Sequence, residues 1–505
     1  MHPLRILATT VGTALLVLGL LFAYASSPAW AAIITVNSLA DDADGTDGEC
    51  TLREAITAAN TDTASGTATG ECAAGSGEDG IDIGLTGTVN LTGALPDLST
   101  NLAIAGPGAD EFTVRRDSGG DYRIFTVTSG SVVSISGITI SGGNVPLGSD
   151  GGGILINGGT LTITDSTISD NSADQGGGIF NQGGTLTVTS STISDNSAII
   201  GGGVFSNTDL SGPKTTITNT TISGNTALQR GGGVINFDGL SVIEHSTITN
   251  NTAPSGFGSG VASVGSALTR TEVLSTIISA NPGTDVDVGQ PNNTFVSKGY
   301  NLIGTGNATG AFNQTGDQVG VTDPKLDPLA DNGGPTQTHA LLTGSPAINA
   351  IPQGTNGCGT TFTEDQRGVS RPQGSACDIG SFELEDSTSP DTQAPRVIST
   401  FPRNGGELSP AANIRATFSE DMRPASVINA FKLFRKGSTN QIAATVTYDP
   451  ATDTATLNPA NILRRGATYR AVVSTQAKDM AGNRLDQNST KAGLQQKVWF
   501  FEIDD

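Results

Sequence analysis

At 505 residues the chain allows two to four domains, and 67 glycines with 5% aromatic and 15% charged residues describe strands and turns around thin aliphatic cores, not a helical enzyme. Residues 33–392 carry 11 basic and 38 acidic residues, a net of −27 that would repel phosphate and excludes nucleic acid as a partner. Residues 394–505 carry 14 basic and 10 acidic residues, a net of +4, so the composition breaks near residue 393.

In chain order, Arg5 precedes an apolar run from Val11 to Ala25, and Ala29-Trp30-Ala31 supplies the small-x-small pattern of a cleavage site. Residues 1–31 are therefore expected to be a signal peptide cut after Ala31. The rival reading is an uncleaved anchor, for which the run is short. No later stretch suits a membrane-spanning helix, so the mature chain is expected outside the cytoplasm, extracellular or at the cell surface.

Residues 33–80 are expected to form an N-terminal cap. Thr51 and Glu54 frame a capping box, with Leu52, Ala55, Ile56 and Ala59 on one helical face. Such a helix would close the exposed strand edges at the end of a solenoid. The four cysteines form two local couples, Cys50 with Cys72 and Cys358 with Cys377. Of the three possible connectivities, only this one avoids tying one end of a long solenoid to the other. Oxidation is expected outside the cytoplasm, and neither couple has zinc-site spacing.

Residues 81–384 are expected to form a parallel β-helix with degenerate coils at both ends. A glycine phrase recurs at Gly151, Gly176, Gly201, Gly231 and Gly258, at intervals of 25, 25, 30 and 27 residues. Its fullest form is Gly176-Gly177-Gly178-Ile179-Phe180-Asn181. Thr185-Leu186-Thr187-Val188-Thr189 alternates at period two in β-branched residues. Strands this short must stack on their counterparts in the next repeat. Inward positions should be Ile179, Leu186, Val188 and Ile193, aligned with Ile154, Leu161, Ile163 and Ile168. Asn171, Asn196, Asn225, Asn251 and Asn281 should line one corner, each amide bonding its neighbours above and below. The chain after Asn281 reads as atypical terminal units.

An acidic, apolar-poor linker is expected at 385–393. Residues 394–505 then show short strands at regular spacing, such as 443–448, 454–457 and 468–474, which indicate a β-sandwich. The fold class is thus all-β.

Cys50-Thr51-Leu52-Arg53-Glu54-Ala55-Ile56 resembles the motif of exported bacterial proteins named for Cys-Ser-Leu-Arg-Glu-Ala, with Thr51 in place of Ser. Gly299 to Gly304, Leu329 to Thr336, Gly344 to Ile348, Asp365 to Val369, Arg371-Pro372 and Cys377 to Phe382 resemble the choice-of-anchor Q part of their right-handed β-helix region. The glycine phrase is also similar to repeats of polymorphic outer-membrane adhesins. Phe418 to Met422, Tyr448-Asp449, Asp479 to Asn483 and Trp499 to Phe501 resemble the bacterial Ig-like domain of surface-layer and other surface proteins. These resemblances imply location and architecture, and they bring no catalytic residues.

β-Helices also carry polysaccharide lyases and hydrolases, which need a base beside Ca²⁺-binding carboxylates or a paired acid and base. Between residues 33 and 392 the only lysines are Lys214, Lys298 and Lys325, and the only histidines are His245 and His339. Asp170 and Asp195 recur one coil apart and read as turn acids, not a catalytic pair. His339 reads as a hydrogen-bonded loop histidine, and Arg230 and Arg270 as solvated corner charges. Asp41 to Gly48 has the oxygen density of a Ca²⁺ loop but not EF-hand order. No catalytic, cofactor-binding or metal residue is assigned, and the low aromatic content argues against sugar-stacking platforms.

The expected function is a secreted or surface structural and adhesive protein. Its non-catalytic β-helix would present a binding surface to extracellular glycans, cell-wall polymers or surface proteins, and its Ig-like module would extend or anchor it. The alternative is an extracellular polysaccharide-degrading enzyme. Variable positions, namely Gln182, Arg230, the insertion Asp209 to Lys214 and the final coils, are where function should be sought.

Overall fold

A computed structural model describes residues 32–385 and 393–504, except 439, 451, 481, 489, 490 and 492. Residues 1–31, expected to be a signal peptide, and most of the expected linker lie outside the described residues. The chain separates into two compact units, Met1–Glu385 and Asp386–Asp505. The first is a parallel β-helix and the second an Ig-like β-sandwich.

The solenoid is built from three stacks of strands. A 10-stranded stack collects the Thr-Ile-Ser phrases, from Gly87–Leu91 through Thr167–Ser169, Thr192–Ser194 and Thr221–Ser223 to Gln318–Val319. A 15-stranded stack holds both the alternating strands, such as Thr185–Thr189, and the glycine-phrase strands, such as Ile179–Gln182. A 3-stranded stack contains Ser172–Gln175, Ser197–Ile200 and Thr226–Arg230. Equivalent residues align coil on coil: Leu161 with Leu186, Ile163 with Val188, Ile168 with Ile193 and Ile154 with Ile179. All eight side chains are fully buried, and each aliphatic side chain withdrawn from water contributes about 1.5–3 kcal/mol. In later coils the glycine-phrase and alternating segments fuse into single strands, Val234–Glu244 and Val261–Leu274.

The three glycines of each phrase have different reasons to be glycine. Gly151, Gly176, Gly201, Gly231 and Gly258 lie at φ between +62° and +70°, a left-handed turn that a Cβ disfavours. The third glycine is a matter of space: a Cβ on Gly178 would lie 2.7 Å from the Gly203 carbonyl oxygen and 3.1 Å from the Asn196 amide carbon.

Leu52–Thr61 is a helix started by the Thr51/Glu54 capping box. Thr51 donates its backbone N–H to Glu54 Oε2 at 3.0 Å, and Glu54 donates its own to Thr51 Oγ1 at 3.2 Å. Cys50–Cys72 pins the helix start, with Cα atoms 4.7 Å apart. The cap region also contributes the strand Ala32–Val36, which pairs in parallel with Asp79–Ile83 and so already belongs to the solenoid.

The expectation of terminal coils through residue 384 needs correction. Stacking continues only to Gln318–Val319. The chain then runs back along the outer face of the 10-stranded stack as a flap over earlier coils. Thr192 Oγ1 donates to the Gln337 carbonyl at 2.6 Å, Ser381 N to Thr247 Oγ1 at 3.0 Å, and Asn356 Nδ2 to the Gly299 carbonyl at 3.2 Å. The cause is composition, because the outward Thr192, Thr221 and Thr247 are polar partners that the flap's Gln366 and Ser381 can satisfy. Cys358–Cys377, with Cα atoms 5.9 Å apart, lies inside this flap and packs in a cluster with Ile277, Leu302 and Ile379, not at a solenoid end.

In the second unit, a 4-stranded sheet contains Ile414–Phe418 and Thr454–Pro459, and a 5-stranded sheet contains Thr468–Val473 and Lys497–Ile503. Phe418, Phe431, Trp499 and Phe501 fill its core. Asp479 Oδ1 accepts from the amides of Gly482 and Asn483 and so forms a turn.

Candidate functional site: a groove at the triple-glycine corner

The corner asparagines form a buried ladder that fixes the spacing of the coils. Asn171 Nδ2 donates to Asn196 Oδ1, Asn196 to Asn225 and Asn225 to Asn251 at 2.9 Å each, and Asn251 to Asn281 at 3.0 Å. Each Oδ1 also accepts the backbone N–H of the preceding asparagine. Every amide is thus used on both sides, which buried polar groups require.

Just beyond this ladder the left-handed glycine turns the chain, so that outward side chains of the 3-stranded stack converge with those of the glycine-phrase strands. Beneath the groove runs a single column in register, Leu155, Phe180, Phe205, Ile235, Ala262 and Asp287, of which Phe205 and Ile235 form the floor. Phe180 and Phe205 lie with ring centroids 5.0 Å apart, and Phe205 and Phe237 at 5.8 Å. One wall is the column Gln175, Ile200, Arg230; the other is Asn207, Phe237, Val264. The open groove measures about 960 Å³, near the upper end of the roughly 300–1,000 Å³ usual for small-ligand sites.

One end of the groove is polar. Arg230 Nε lies 3.4 Å from Asp287 Oδ2, and its guanidinium sits 5.0 Å from the centroid of the Phe257 ring. Asp287 is 2% exposed, and its other oxygen accepts from Asn307 Nδ2 at 2.6 Å. Burial raises the Asp287 carboxyl above its ordinary value, while Arg230 and Asn307 pull it back. Neither Arg230 Nε nor Asp287 Oδ2 makes a hydrogen bond.

Arg230 is therefore no solvated corner charge. Arg270, by contrast, sits half-exposed and pairs with Glu272. Four aromatics gather here: Phe180, Phe205 and Phe237 share one outer column or its wall, and Phe257 stands 43% exposed at the mouth. A sequence signal for this exists. Ile179 and Phe180 are adjacent in a strand, so one of them must face outward.

The remaining candidates lie elsewhere. Asp170 and Asp195 occupy left-handed turns at φ +59° and +57°. Asp195 leans over Gly224, where a Cβ would come within 2.4 Å of its Oδ1, and burial, then Asp170, raises its carboxyl. His339 Nδ1 donates to the Asp327 carbonyl at 2.6 Å, and its Nε2 hydrogen-bonds Ser223 Oγ at 2.8 Å. In the Asp41 to Gly48 stretch, Asp41 forms an ion pair with Arg53 at 2.8 Å and accepts from Thr92. Among the described residues no group of three or more His, Cys, Asp or Glu is placed to hold a metal ion. Gln182 is exposed on the strand that carries Phe180.

The closing motifs build a buried clasp in the flap. Asp365 Oδ2 accepts from Arg367 at 2.8 Å and from the Glu383 amide at 2.9 Å, while Arg367 lies 3.6 Å from the Phe382 ring centroid. Arg371 donates to the carbonyls of Asp378 and Gly380 and sits 3.6 Å from Glu383 Oε2. Burial pushes the Glu383 carboxyl up to about 7, against the pull of Arg371.

Residues 391–502 match the family described as the bacterial Ig-like domain, and residues 125–311 match the right-handed β-helix region. No curated protein matches the chain. Among solved structures, the S-layer protein rSbsC is 22% identical over 22% of this chain and 14% of its own, with a TM-score of 0.18. PcoC, a methionine-rich copper resistance protein from Escherichia coli, is 17% identical over 22% of this chain and 100% of its own, with a TM-score of 0.17.

Proposed function

We propose that this is an exported surface protein of the Cys-Ser-Leu-Arg-Glu-Ala and choice-of-anchor Q type. Its β-helix binds without catalysis, and its Ig-like module extends or anchors it. The groove carries the reading: it is large enough for a ligand, yet the carboxylate beside Arg230, Asp287, is buried and committed to that ion pair. A glycoside hydrolase needs two carboxyl groups facing the scissile bond, and the groove lining supplies none among the described residues. The two disulfides suit an oxidising compartment. A repetitive, rigid surface suits multivalent contact with cell-wall polymers, glycans or surface proteins.

The test has two readouts. Intact source cells are labelled with a membrane-impermeant amine reagent, and the purified chain is incubated with a polysaccharide panel while reducing ends and unsaturated products are followed. Labelling of the chain on intact cells and retention of a polymer without product are expected. Confinement to the cytoplasm would defeat the surface assignment, and product formation would defeat the non-catalytic one.

A further inference from the structure

A second cleft lies where the flap meets the solenoid. On the solenoid side Thr164, Thr189 and Thr218 align coil on coil. The residue after each, Asp165, Ser190 or Asn219, turns the corner at φ +49°, +49° or +47°. Thr361, Thr363 and Glu364 of the flap form the facing wall. Asn219 Nδ2 ties that wall down by donating to the Glu364 carbonyl at 3.0 Å. The open cleft measures about 520 Å³, within the roughly 300–1,000 Å³ usual for ligand sites.

Its charge is one-sided. The carboxylates of Asp165, Glu364 and Asp365 line it, against a single cation, Arg367. That cation is already held: it donates to Asp365 Oδ2 and to the carbonyls of Asn332 and Glu383. Asp165 is half-buried and Glu364 exposed, and neither carboxylate has an ion-pair partner among the described residues. Burial alone raises the Asp165 carboxyl, with no cation of the protein to offset it. A partly desolvated carboxylate of this kind gains most from an incoming cation. An anionic ligand would meet repulsion here and from the net −27 of residues 33–392.

The cleft also repeats. Each coil adds one threonine hydroxyl and one corner residue at about 4.8 Å, so a linear polymer of matching unit length meets the same groups at each step. One pyranose of an extended β-linked chain advances by about one coil. An extended peptide advances about 3.3 Å per residue and falls out of step. We propose that this cleft binds a linear polysaccharide of amine-bearing sugars. Its ammonium groups lie against Asp165 and Glu364, and its hydroxyls meet the threonine column. The proposal rests on the binding reading above and names its ligand class.

The experiment is calorimetry of the full mature chain with glucosamine oligomers, their N-acetylated counterparts and oligouronates, at mildly acidic pH where the amines are charged. The amine form is expected to bind about tenfold or more tighter than the N-acetylated form, the scale of one charge-assisted hydrogen bond. Uronates are expected not to bind. Asp165→Asn keeps the left-handed turn, which Asn tolerates, and Glu364→Gln keeps the side-chain size. Each is expected to weaken the amine form about tenfold and to leave the N-acetylated form unchanged. Asp170→Asn, the same change at a turn outside the cleft lining, should alter neither. Circular dichroism and the unfolding midpoint check folding of each variant. Equal affinity for amine and N-acetylated oligomers, preference for uronates, or amine binding indifferent to both cleft variants would overturn the cleft assignment. So would displacement by a lysine oligopeptide as effective as by the sugar. If the chain still retains other polymers, only the cleft assignment falls; if it retains none, the binding reading falls with it. Shorter oligomers released by the parent chain and not by Asp165→Asn would keep the cleft and defeat the non-catalytic reading.

Discussion

Asn281 Nδ2 donates to Asp285 Oδ1 at 2.8 Å, and Asn281 N donates to the same oxygen at 2.9 Å, so the amide ladder ends in a carboxylate. The choice follows from hydrogen-bond arithmetic. Inside the ladder each residue must donate and accept at once, which an amide does and a carboxylate does not. At the last rung Asp285 only accepts, its second oxygen receiving Thr305 N at 2.6 Å. Asp285→Asn would turn an NH₂ group toward an N–H on one side or the other. A loss of about 1–3 kcal/mol is expected in urea unfolding of the solenoid, and a change below a few tenths would refute the terminal-acceptor role.

Mid-ladder the cost should be larger. Asn225 Oδ1 accepts from Asn196 Nδ2 and Asn196 N, and Asn225 Nδ2 donates to Asn251 Oδ1 and the Ile193 carbonyl. Asn225→Ala strips partners from buried groups in two adjacent coils, so about 2–5 kcal/mol is expected. Asn225→Asp keeps the acceptor but removes the donor and buries a charge, and it should be no milder. Equal stability of either variant with the parent chain would count against the ladder as a structural element.

The glycines separate conformational from steric demands. Gly183 lies at φ +67° with nothing within 4 Å of a built Cβ, whereas Gly178 has ordinary φ but no room. Gly183→Asn, a residue that tolerates the left-handed region, should cost under about 1 kcal/mol. Gly178→Ala must displace either the Gly203 carbonyl or Asn196, and about 2 kcal/mol or more is expected. Thermal unfolding of the two variants side by side decides the matter, and the reverse ranking would contradict the packing described.

Periodicity made the solenoid legible: Ile at a fixed phase, Asn at a fixed corner and Gly at each turn all follow from one coil repeated. What escaped was whatever the repeat does not encode. The groove depends on the outward Phe180, Phe205 and Phe237, whose apolar character reads as more core when only inward positions are counted. The 5% aromatic content averages over the chain and hides that local column. The flap reads as end coils because Leu329 to Thr336 and Gly344 to Ile348 share the turn chemistry of coils, and turn residues do not say which surface a segment packs against.

Acid should act through His245, fully buried where the flap meets the solenoid. Its Nε2 meets the Asn356 carbonyl at 3.0 Å and its ring lies 4.0 Å from that of Phe362. Burial, with Arg371 nearby, holds the imidazole down to about 3. The unfolded chain therefore binds the proton between about pH 6.5 and 3 while the folded chain does not. This contribution to stability is present above pH 6.5 and lost as pH falls, with an upper bound of roughly 5 kcal/mol. Glu383, raised to about 7 by burial, acts in the opposite sense: its contribution is full below about pH 4.5 and is lost as pH rises through 7. His245→Gln should flatten the acid limb of a stability-versus-pH curve, and Glu383→Gln should flatten the slope between pH 4.5 and 7. An unchanged acid limb in His245→Gln would exclude His245 as its source.

Reduction should act on the flap before the solenoid. Cys358 and Cys377 are fully buried and close a loop of 19 residues in sequence separation, packed on Ile277 and Leu302. The coils beneath keep their own strand pairing and asparagine ladder without that bond. Cys358→Ser with Cys377→Ser is therefore expected to speed amide exchange and proteolysis in residues 322–385 and to unmask Thr192, Thr221 and Thr247. The strands from 154 to 249 should stay protected, because stability in a stacked array is local. A disulfide of this span contributes about 3 kcal/mol in the chain-entropy account, enough to loosen a peripheral segment held by polar contacts and one small apolar cluster. Loss of protection throughout the solenoid would instead make the flap an integral part of the stack, and an unchanged flap would make the disulfide redundant with the Asp365, Arg367, Arg371 and Glu383 clasp.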